Sequence, residues 1–443
     1  MPEKESGLSD VGGGFGSKRR TRTPGAVVVA DTKPVPAHPS PRDALSEPDS
    51  RPALVLVESN TTGTGRRFCW AAADLGFTPI LLTAGRRHYS YIAEDGVATR
   101  IVDTSNPTAV LAVCRELAAD RGVAAVTSSS EYYIAVAAAV AADLGLPGPD
   151  SAAVDRCRDK SRQRDRLAAA GVPVPRFQPA GDATEATRAA DKLGYPVVVK
   201  PVSGSGSIGV RLCESPTEVI TAAETVDGPL LVEELVTGPE FSVETFHREV
   251  LCVNAKHLGA PPYFVETGHD VPAGLPWIDR SRLESTAVAA LDALGLGWGP
   301  AHTELRMSPH GPVVIEVNPR LAGGMIPVML DAAIGVDPVA ASVAAAAGRS
   351  AAVRRPAPGY GAIRFLVASE HVTVSDVADL SEIRRLPGVI AAEVMVSPGT
   401  RIELTHSFTD RYGYVLATGA DPDQSSARAD RALAALNEAV TLT

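Results

Sequence analysis

Apolar runs and helical patterns alternate along the chain after residue 50. Residues 53–59, ALVLVES, predict a buried strand, and Arg66 to Leu75 predict a helix. A second apolar run at residues 79–83 completes a βαβ unit. The alternation then repeats as a helix, a strand and a helix at residues 108–120, 123–129 and 132–144. We therefore predict a small parallel sheet from Ala53 to about Asp150.

The first turn of this sheet, Thr62-Gly63-Thr64-Gly65, contains glycines that also suit a dinucleotide-binding loop. However, the full GxGxxG spacing is absent, and no acidic residue follows the second strand at the distance that such a loop requires. We interpret the segment as the tight turn of the first βα unit.

Composition narrows the class of protein. The chain has 443 residues, which predicts two or three domains, and its formal charge of −10 argues against a nucleic-acid surface. Residues 1–50 are rich in Gly, Pro, Ser and charge, so we predict a disordered tail. The start lacks an apolar signal segment and charges interrupt the later apolar stretches, so we expect a cytoplasmic protein without a membrane span. The five scattered cysteines are expected to be reduced thiols.

The stretch most informative about chemistry is a predicted β-hairpin. Two alternating runs flank a turn-forming group at residues 308–311. The hairpin brings Glu304 opposite Glu316, or one place off, and puts Asn318 on the same face as Glu316. Two carboxylates and an amide oxygen suit Mg²⁺, and Arg320 adds a planar cation for a phosphate or carboxylate. The alternative is two exposed glutamates on a surface hairpin.

A glycine–serine loop in the middle of the chain suits phosphate binding. Strands are predicted on either side of it, at Val197 to Lys200 and at Ile208 to Cys213. Small residues let backbone N–H groups and hydroxyls close over phosphate oxygens, and Lys200 lies at the strand end beside them. The alternative is an ordinary Gly/Ser hairpin. The loop residues are Ser203, Gly204, Ser205, Gly206 and Ser207.

An acidic connection between two predicted strands offers a place for a nucleoside. Leu230 to Val232 and Phe241 to Phe246 predict the strands, and Glu233 to Val236 are expected to leave the first of them. A purine needs an apolar slot with backbone groups at its edge, and a carboxylate such as Glu240 suits two ribose hydroxyls. An ordinary acidic strand connection explains these residues equally well.

Three segments, VVVKPVSGSGSIGV, EELVTGPEFSVE and HTEL…GPVVIEVNPRLAGG, follow one another in an order and spacing that resemble the ATP-grasp superfamily. Within it, they look most like the carboxylate–amine ligases of the L-amino-acid ligase, or dipeptide synthetase, branch. The resemblance implies an α/β and α+β fold in which ATP phosphorylates a carboxylate and an amine then attacks the acyl phosphate. It also implies a homodimer that acts on small amino-acid or peptide substrates.

The resemblance divides the chain into four regions. After the tail at residues 1–50, it implies an N-terminal parallel α/β domain at residues 51–150. A central ATP-grasp lobe with the phosphate lid would follow at residues 151–245. The C-terminal lobe, with the metal site and a closing subdomain, would occupy residues 246–443.

The resemblance also implies roles for particular residues. Lys160 lies in a charged helix, predicted at residues 153–170, whose other charges are mostly expected to face solvent. Lys160 and Lys200 would contact the ATP phosphates beneath the lid of residues 203–207, and Arg320 would steady the transferring phosphoryl group. The ligands of Mg²⁺ or Mn²⁺ would be Glu304, Glu316 and Asn318. The residues near the adenine and ribose would be Glu233, Glu234, Val236 and Glu240.

Residues 254–276 resemble the segment that lies over the amino-acid pocket in this branch. His269 is expected near the substrate and, with Arg320 and Lys200, among the catalytic residues. Two glycines follow the arginine motif, and we hypothesise that Gly324 leaves the acceptor pocket open to a larger amino acid or a peptide. The remaining substrate-side candidates are Glu266, His257, Gly323, Arg364 and His406.

Two other functions are compatible with the sequence. One is an ATP-grasp ligase with a carboxylase-like or purine-biosynthesis-like acceptor. The segments TGH, at residues 267–269, and NPRLAGG, at residues 318–324, favour the amino-acid ligase over this alternative. The other is a nucleotide-binding protein without turnover. A pure binding module need not keep the metal and phosphate residues, so their presence favours an enzyme.

Overall fold

The computed structural model describes residues 51–61, 64–85, 89–351, 353 and 359–443. The predicted disordered tail and Thr62 and Gly63 of the first turn lie outside the described residues.

A parallel sheet of four strands, in the order β3-β2-β1-β4, forms the N-terminal part. Every residue of β1 and β2 is buried, which explains their continuous apolar runs. The predicted βαβ pattern is confirmed. The sequence analysis missed two elements of this part. All four residues of β3 are exposed at the sheet edge, so the strand has no apolar pattern, and α2 is only six residues long. The elements are β1 (Ala53–Val57), α1 (Thr64–Asp74), β2 (Thr78–Thr83), α2 (Ser90–Asp95), β3 (Ala98–Ile101), α3 (Pro107–Asp120), β4 (Val123–Thr127) and α4 (Ile134–Asp143).

The charged segment that follows is two helices, α5 (Ser151–Arg158) and α6 (Lys160–Ala169), and not the single helix that we predicted. Asp159 has an extended backbone between them, and its side chain accepts a hydrogen bond from the Arg162 N–H, so it caps α6. The expectation that the charges other than Lys160 face solvent was wrong for Arg164, which is fully buried.

An antiparallel sheet of four strands, in the order β5-β8-β6-β7, forms the central lobe. We predicted that Glu233 and Glu234 leave the strand, but β8 continues through both because it pairs with β5 on one side and with β6 on the other. The elements are β5 (Phe177–Ala180), α7 (Ala183–Leu193), β6 (Val197–Pro201), β7 (Arg211–Cys213), α8 (Pro216–Glu224) and β8 (Leu230–Glu234).

An antiparallel sheet of eight strands, in the order β13-β12-β9-β10-β11-β14-β18-β16, forms the C-terminal part together with a small sheet, β17-β15-β19. The strands are β9 (Glu240–Phe246), β10 (Glu249–Leu258), β11 (Glu266–Val271), β12 (Pro300–Ser308), β13 (Gly311–Asn318), β14 (Tyr360–Val367), β15 (Val372–Val377), β16 (Val389–Val394), β17 (Arg401–Ile402), β18 (Arg411–Gly419) and β19 (Val440–Leu442). The helices are α9 (Trp277–Leu294), α10 (Ile326–Ile334), α11 (Pro338–Ala346), α12 (Ser381–Arg384) and α13 (Pro422–Glu438). Because β9 belongs to this sheet, we propose that the lobe boundary expected at residue 245 falls before Glu240.

Helix α9 covers the eight-stranded sheet on the side of the β12–β13 hairpin. Its residues Leu283, Leu291 and Leu294 are fully buried in a core shared with Leu305 and Val314 of the hairpin. Full burial of a leucine side chain contributes about 1.5–3 kcal/mol, so this contact fixes the hairpin on the sheet.

Among the described residues, no single helix has the length and apolar composition needed to cross a bilayer. Helices α10 and α11 meet these criteria only when taken together, and they are bent by 110° at the break between them.

Candidate active site

The predicted hairpin is present, and its register places Glu304 directly opposite Glu316. His302 lies opposite Asn318, and a bulge follows Glu304. The two carboxylates therefore face each other across neighbouring strands, as the sequence indicated. The Asn318 side chain forms no hydrogen bond with any part of the chain that the structure describes, so its amide oxygen is available as a ligand.

Cations balance the two opposed carboxylates. The Lys256 ammonium lies 2.8 Å from Oε2 of Glu304, and the Lys160 ammonium lies 3.0 Å from Oε1 of Glu316. Nε2 of His302 lies 3.0 Å from Oε1 of Glu304. Burial alone would raise the pKa of Glu304, but Lys256 and His302 hold that pKa below its usual range. Glu304 is therefore a carboxylate at neutral pH.

Lys256 on β10 was not predicted as a site residue, yet it lies at the centre of the cleft. Its side chain is only 2% exposed, and its ammonium lies 2.9 Å from Glu240, 3.0 Å from Glu266 and 2.8 Å from Glu304. Burial lowers the pKa of Lys256, but the three carboxylates raise it by more, so the pKa lies well above the usual range. The group is a permanent cation among residues expected at the ribose, the substrate and the metal.

Arg306 is a second cation that the sequence interpretation missed. It donates from Nε to Glu240 Oε2 at 2.8 Å and from Nη1 to the Val236 carbonyl at 2.9 Å. Arg306 therefore fixes Glu240 and Val236, the two residues expected beside the nucleoside. Its position opposite Glu240 in the β12–β9 register explains the contact, but that register is not visible in the sequence.

Lys200 belongs to a buried triad in the central lobe. Its ammonium lies 2.5 Å from Oε2 of Glu233, and Nε of Arg164 donates to Oε1 of Glu233 at 2.6 Å. Burial would raise the pKa of Glu233, but Arg164 and Lys200 lower it overall. We expected Glu233 to offer backbone groups to the adenine. Its position inside β8 instead gives its backbone to the sheet and its carboxylate to Lys200.

The glycine–serine loop is closed onto three other parts of the chain. The Lys160 ammonium donates to the Gly204 carbonyl at 2.6 Å, Ser207 Oγ donates to the Phe264 carbonyl at 2.7 Å, and the Phe408 N–H donates to the Gly206 carbonyl at 3.1 Å. Gly206 has a φ of +67°, and a Cβ there would lie 2.2 Å from the Phe408 ring. Only glycine permits this contact without displacement.

Beneath the loop, a cavity that opens to solvent and contains about 870 Å³ of empty space separates the central lobe from the eight-stranded sheet. It collects most of the residues expected at the nucleotide and metal. These are the loop residues 203–207 together with Lys160, Lys200, Glu233, Glu234, Val236, Glu240, Glu304 and Glu316, joined by Lys256, Arg306 and Glu266.

Arg320 does not line this cavity but lies against the N-terminal part. Its Nε donates to Oε2 of Glu131 at 2.9 Å, and its Nη2 contacts the same oxygen. Burial would raise the pKa of Glu131, but Arg320 lowers it. Arg320 also borders a second cavity of about 520 Å³, which Phe68 and Ile134 line from the N-terminal part. Glu131 lies four residues beyond the end of β4, and no sequence pattern connects it with Arg320.

The expected substrate residues lie together at β11. The His269 side chain is 1% exposed, and neither ring nitrogen has a hydrogen-bond partner among the described residues. Burial lowers the pKa of His269 to about 3, so the ring is neutral. Oε2 of Glu266 lies 3.7 Å from His269 Nε2 and accepts a hydrogen bond from Arg411 at 3.0 Å. A Cβ on Gly324 would lie 2.9 Å from His269 Nε2, whereas one on Gly323 would meet open space.

Three weaker candidates lie apart from the nucleotide cavity. Nε2 of His257 lies 2.7 Å from Oδ2 of Asp270, and Arg364 donates to Oδ1 of the same aspartate at 2.8 Å. The ring of His406 stacks on Tyr263 with 3.7 Å between centroids. These side chains are engaged with other residues, and none of the three lines the cavity.

Comparisons with known proteins agree with this geometry. Residues 69–148 match the ATP-grasp N-terminal domain, residues 193–328 the ATP-grasp domain, and residues 364–440 the L-amino acid ligase C-terminal domain 2. An uncharacterized protein of Sinorhizobium fredii, y4rH, is 36% identical over 397 residues, which cover 87% of this chain and 82% of that protein.

More distant similarities point to the same fold. A D-alanine–D-alanine ligase of Pseudomonas fluorescens is 34% identical over 156 residues, which cover 32% of this chain and 48% of that enzyme. The crystal structure of an L-amino acid ligase from Bacillus licheniformis superposes with a TM-score of 0.75 at 22% identity, covering 89% of this chain and 99% of that one. The fold class and the family resemblance are thus confirmed.

The residues of the cleft fit the cofactors of this superfamily, ATP and Mg²⁺. Mg²⁺ prefers hard oxygen donors. The hairpin supplies a set of them, namely the opposed carboxylates of Glu304 and Glu316 and the amide of Asn318, which has no hydrogen-bond partner among the described residues. Lys160 and Lys200 line the same cavity as point charges for phosphate groups. The chain therefore belongs to the ATP-grasp superfamily of ATP-dependent ligases, in the branch that carries the L-amino acid ligase C-terminal domain.

Proposed function

We propose that the chain joins the carboxylate of an amino acid to the amine of an amino acid or peptide. In the first step, a carboxylate oxygen forms a bond to the γ-phosphorus of ATP as the bond to the bridging oxygen breaks, and ADP leaves. In the second step, the amine nitrogen forms a bond to the acyl carbon as the bond to phosphate oxygen breaks. The amine loses one proton, and inorganic phosphate is released.

The observation that carries this proposal is the position of Glu266. It lines the nucleotide cavity and also lies beside His269, so the expected substrate residues border the expected phosphate site. A substrate held near Glu266 and His269 would have its carboxylate next to Lys256 and the metal ligands. Phosphoryl transfer depends on positioning and charge neutralisation more than on covalent help from the protein, and this cleft supplies both.

Each part of the cleft has a distinct task in the proposed reaction. Bound Mg²⁺ would neutralise the phosphate oxygens. Lys160 and Lys200 bind phosphate oxygens, and the closed loop excludes water, which would otherwise hydrolyse the acyl phosphate. Arg320, which lies outside the cavity, would stabilise by its positive charge the negative charge that develops as the acyl phosphate forms and collapses. Glu131 holds the guanidinium in place through its carboxylate.

His269 suits the amine better as a hydrogen-bond acceptor than as a base. Its pKa of about 3 keeps the ring neutral, so one of its nitrogens can accept a hydrogen bond from an amine N–H. A group of such low pKa removes protons poorly at neutral pH. We therefore assign His269 to orienting the amine beside the acyl carbon.

The experiment that tests the proposal is release of inorganic phosphate from ATP and Mg²⁺ in a matrix of amino acids and short peptides, offered singly and in pairs. Mass spectrometry would identify the products. We expect release that requires a particular pair and yields ADP and a condensed product. Tight ATP binding without release for any pair would overturn the proposal in favour of a nucleotide-binding protein without turnover, and release with bicarbonate alone would indicate a carboxylase-like acceptor.

Replacing His269 with Asn is expected to raise the KM of the amine substrate by about tenfold while changing the KM of ATP by less than about twofold. The side chain contacts the proposed substrate site and does not line the nucleotide cavity, so losing one hydrogen bond weakens amine binding alone. Steady-state kinetics with each substrate varied in turn would measure both constants. Equal changes in the two KM values would contradict the assignment.

Replacing Gly324 with Trp is expected to narrow the acceptor range to small amino acids. A side chain there must displace His269, whose Nε2 would lie 2.9 Å from the new Cβ. The measurement is the yield of condensed product across acceptors of increasing size. Gly324 has a φ of +59°, so any side chain there also strains the backbone. The variant Gly335→Ala is the control for this strain, because Gly335 has a φ of +68° and open space around its Cβ position. An unchanged acceptor range in Gly324→Trp would refute the hypothesis.

The homodimer implied by the family resemblance and the cytoplasmic location expected from the sequence stay predictions. Gel filtration with light scattering would give the oligomeric state in solution.

A further inference from the structure

Each of the two opposed carboxylates at the proposed metal site already has a lysine. The Lys256 ammonium lies 2.8 Å from Oε2 of Glu304, and the Lys160 ammonium lies 3.0 Å from Oε1 of Glu316. These lysines come from β10 and from the first residue of α6, which are distant in sequence and on different lobes. Both lysines line the nucleotide cavity, so each ammonium is within reach of a ligand bound there.

A lysine and a divalent metal cannot share a carboxylate oxygen without repulsion. Mg²⁺ requires the oxygen lone pairs at short distance and demands near-ideal octahedral geometry. An ammonium at hydrogen-bond distance uses one of those lone pairs and adds a like charge beside the ion. Metal binding to Oε2 of Glu304 or to Oε1 of Glu316 therefore requires that the lysine on that oxygen move away, and Oε1 of Glu304 is already engaged by His302.

The lysines have other acceptors when they leave. Lys256 also contacts Glu240 and Glu266, at 2.9 Å and 3.0 Å, so it can turn from Glu304 without losing all its partners. Lys160 also donates to the Gly204 carbonyl in the lid loop. Phosphate oxygens of a bound nucleotide would be further acceptors for both ammonium groups.

We propose that Lys256 and Lys160 are internal counter-ions that occupy the metal ligands Glu304 and Glu316 until nucleotide binds, and that they thereby make metal binding depend on nucleotide. When nucleotide binds, both lysines turn to its phosphate oxygens and release the carboxylates to the metal. This inference rests on the proposed metal ligands.

The test is Mn²⁺ binding to the full-length chain without nucleotide, measured from the free Mn²⁺ signal in electron paramagnetic resonance. Lys256→Met and Lys160→Met are each expected to bind Mn²⁺ at least about tenfold more tightly than the unmodified chain, which corresponds to about 1.4 kcal/mol. Adding Glu304→Gln to Lys256→Met should abolish the gain. The titration needs no amino-acid substrate, so its failure is distinguishable from failure of the ligase reaction.

The variant Arg306→Met is the control for the loss of one positive charge from the cavity. Arg306 lines the same cavity and its loss removes the same unit charge, but it contacts Glu240 and not Glu304 or Glu316. We expect this variant to change Mn²⁺ affinity by less than about threefold. Equal gains in Arg306→Met and Lys256→Met would show an effect of net charge alone and would overturn the proposal, as would no gain in either lysine variant.

A folding defect in one variant does not remove the test. Lys256→Met leaves three buried carboxylates without their shared cation, so circular dichroism and thermal unfolding must accompany the titration. Lys160→Met removes a contact at the start of a helix and tests the same idea independently. If both variants fold, both must gain affinity.

Discussion

Replacing Arg320 with Met is expected to lower kcat by about 100- to 1,000-fold. Removing a group that stabilises the charge developing in a transition state has an effect of this size. The KM of ATP should change by less than about threefold, because Arg320 does not line the nucleotide cavity. Phosphate release at saturating ATP, with varied amino-acid substrates, measures both quantities.

The loss of Arg320 also leaves Glu131 without its ion-pair partner, so a structural explanation must be separated from the catalytic one. The double variant Arg320→Met with Glu131→Gln removes both charges and should recover the thermal stability of the unmodified chain. Its kcat should stay as low as that of Arg320→Met alone. Recovery of kcat in the double variant would mean that Arg320 has only a structural role.

Replacing Glu233 with Gln is expected to destabilise the chain by about 3–5 kcal/mol, equivalent to a fall of about 6–20 °C in the thermal midpoint. Glu233 is the only carboxylate between Arg164 and Lys200 among the described ion pairs, and all three side chains are buried. The substitution leaves two buried cations with a neutral amide. Thermal unfolding followed by circular dichroism, without nucleotide, measures the change.

The neighbouring Glu234 provides the matched control. It forms an ion pair with Arg176, whose side chain is 63% exposed, and exposed pairs contribute about 0–1 kcal/mol. Glu234→Gln should therefore change the thermal midpoint by less than about 4 °C. Similar losses in the two variants would contradict the account of the buried triad.

The effect of Glu233→Gln should depend on pH in one direction. Arg164 and Lys200 lower the pKa of Glu233 below 4.5 in the folded chain. Between that lowered pKa and 4.5 the unfolded chain binds more protons, so the stability from Glu233 falls as the pH falls. The difference between Glu233→Gln and the unmodified chain should be constant near neutral pH and shrink in acid. A difference that grows in acid would contradict the lowered pKa.

Local patterns in the sequence were sufficient to predict the hairpin and most of the N-terminal parallel sheet. Turn-forming residues define the hairpin of β12 and β13, and the two-residue connection at Pro309 and His310 sets their register as far as Leu305. The bulge after Glu304 then shifts the register by one residue and brings Glu304 opposite Glu316, which explains why the sequence allowed either this pairing or one place off. Continuous apolar runs define β1 and β2 because both faces of a parallel sheet are covered. The three motif segments then linked the hairpin to the phosphate loop, although they lie in different lobes.

The residues that sequence reasoning missed are those whose partners are distant along the chain. Lys256 and Arg306 lie in strands where a charged residue normally indicates a solvent-facing position, and only the order β12-β9-β10 places both beside Glu240. In the sequence, Arg164 is one of several charged residues in a helical segment. Only the fold shows that it is paired with Glu233. Arg411 reaches the site from β18, three places from β10 in the same sheet, and Glu131 reaches Arg320 from the segment after β4. Ion pairs of this kind depend on tertiary packing, which periodicity does not encode.

The most direct test of the proposed chemistry is transfer of oxygen-18 from substrate to phosphate. The amino acid of the pair that gives the fastest phosphate release would be labelled in its carboxylate and incubated with ATP, Mg²⁺ and the amine. Formation of an acyl phosphate predicts one labelled oxygen in each molecule of released phosphate, because the carboxylate oxygen bonded to phosphorus leaves with it. Unlabelled phosphate beside a condensed product, or label recovered in AMP, would contradict carboxylate activation by the γ-phosphoryl group.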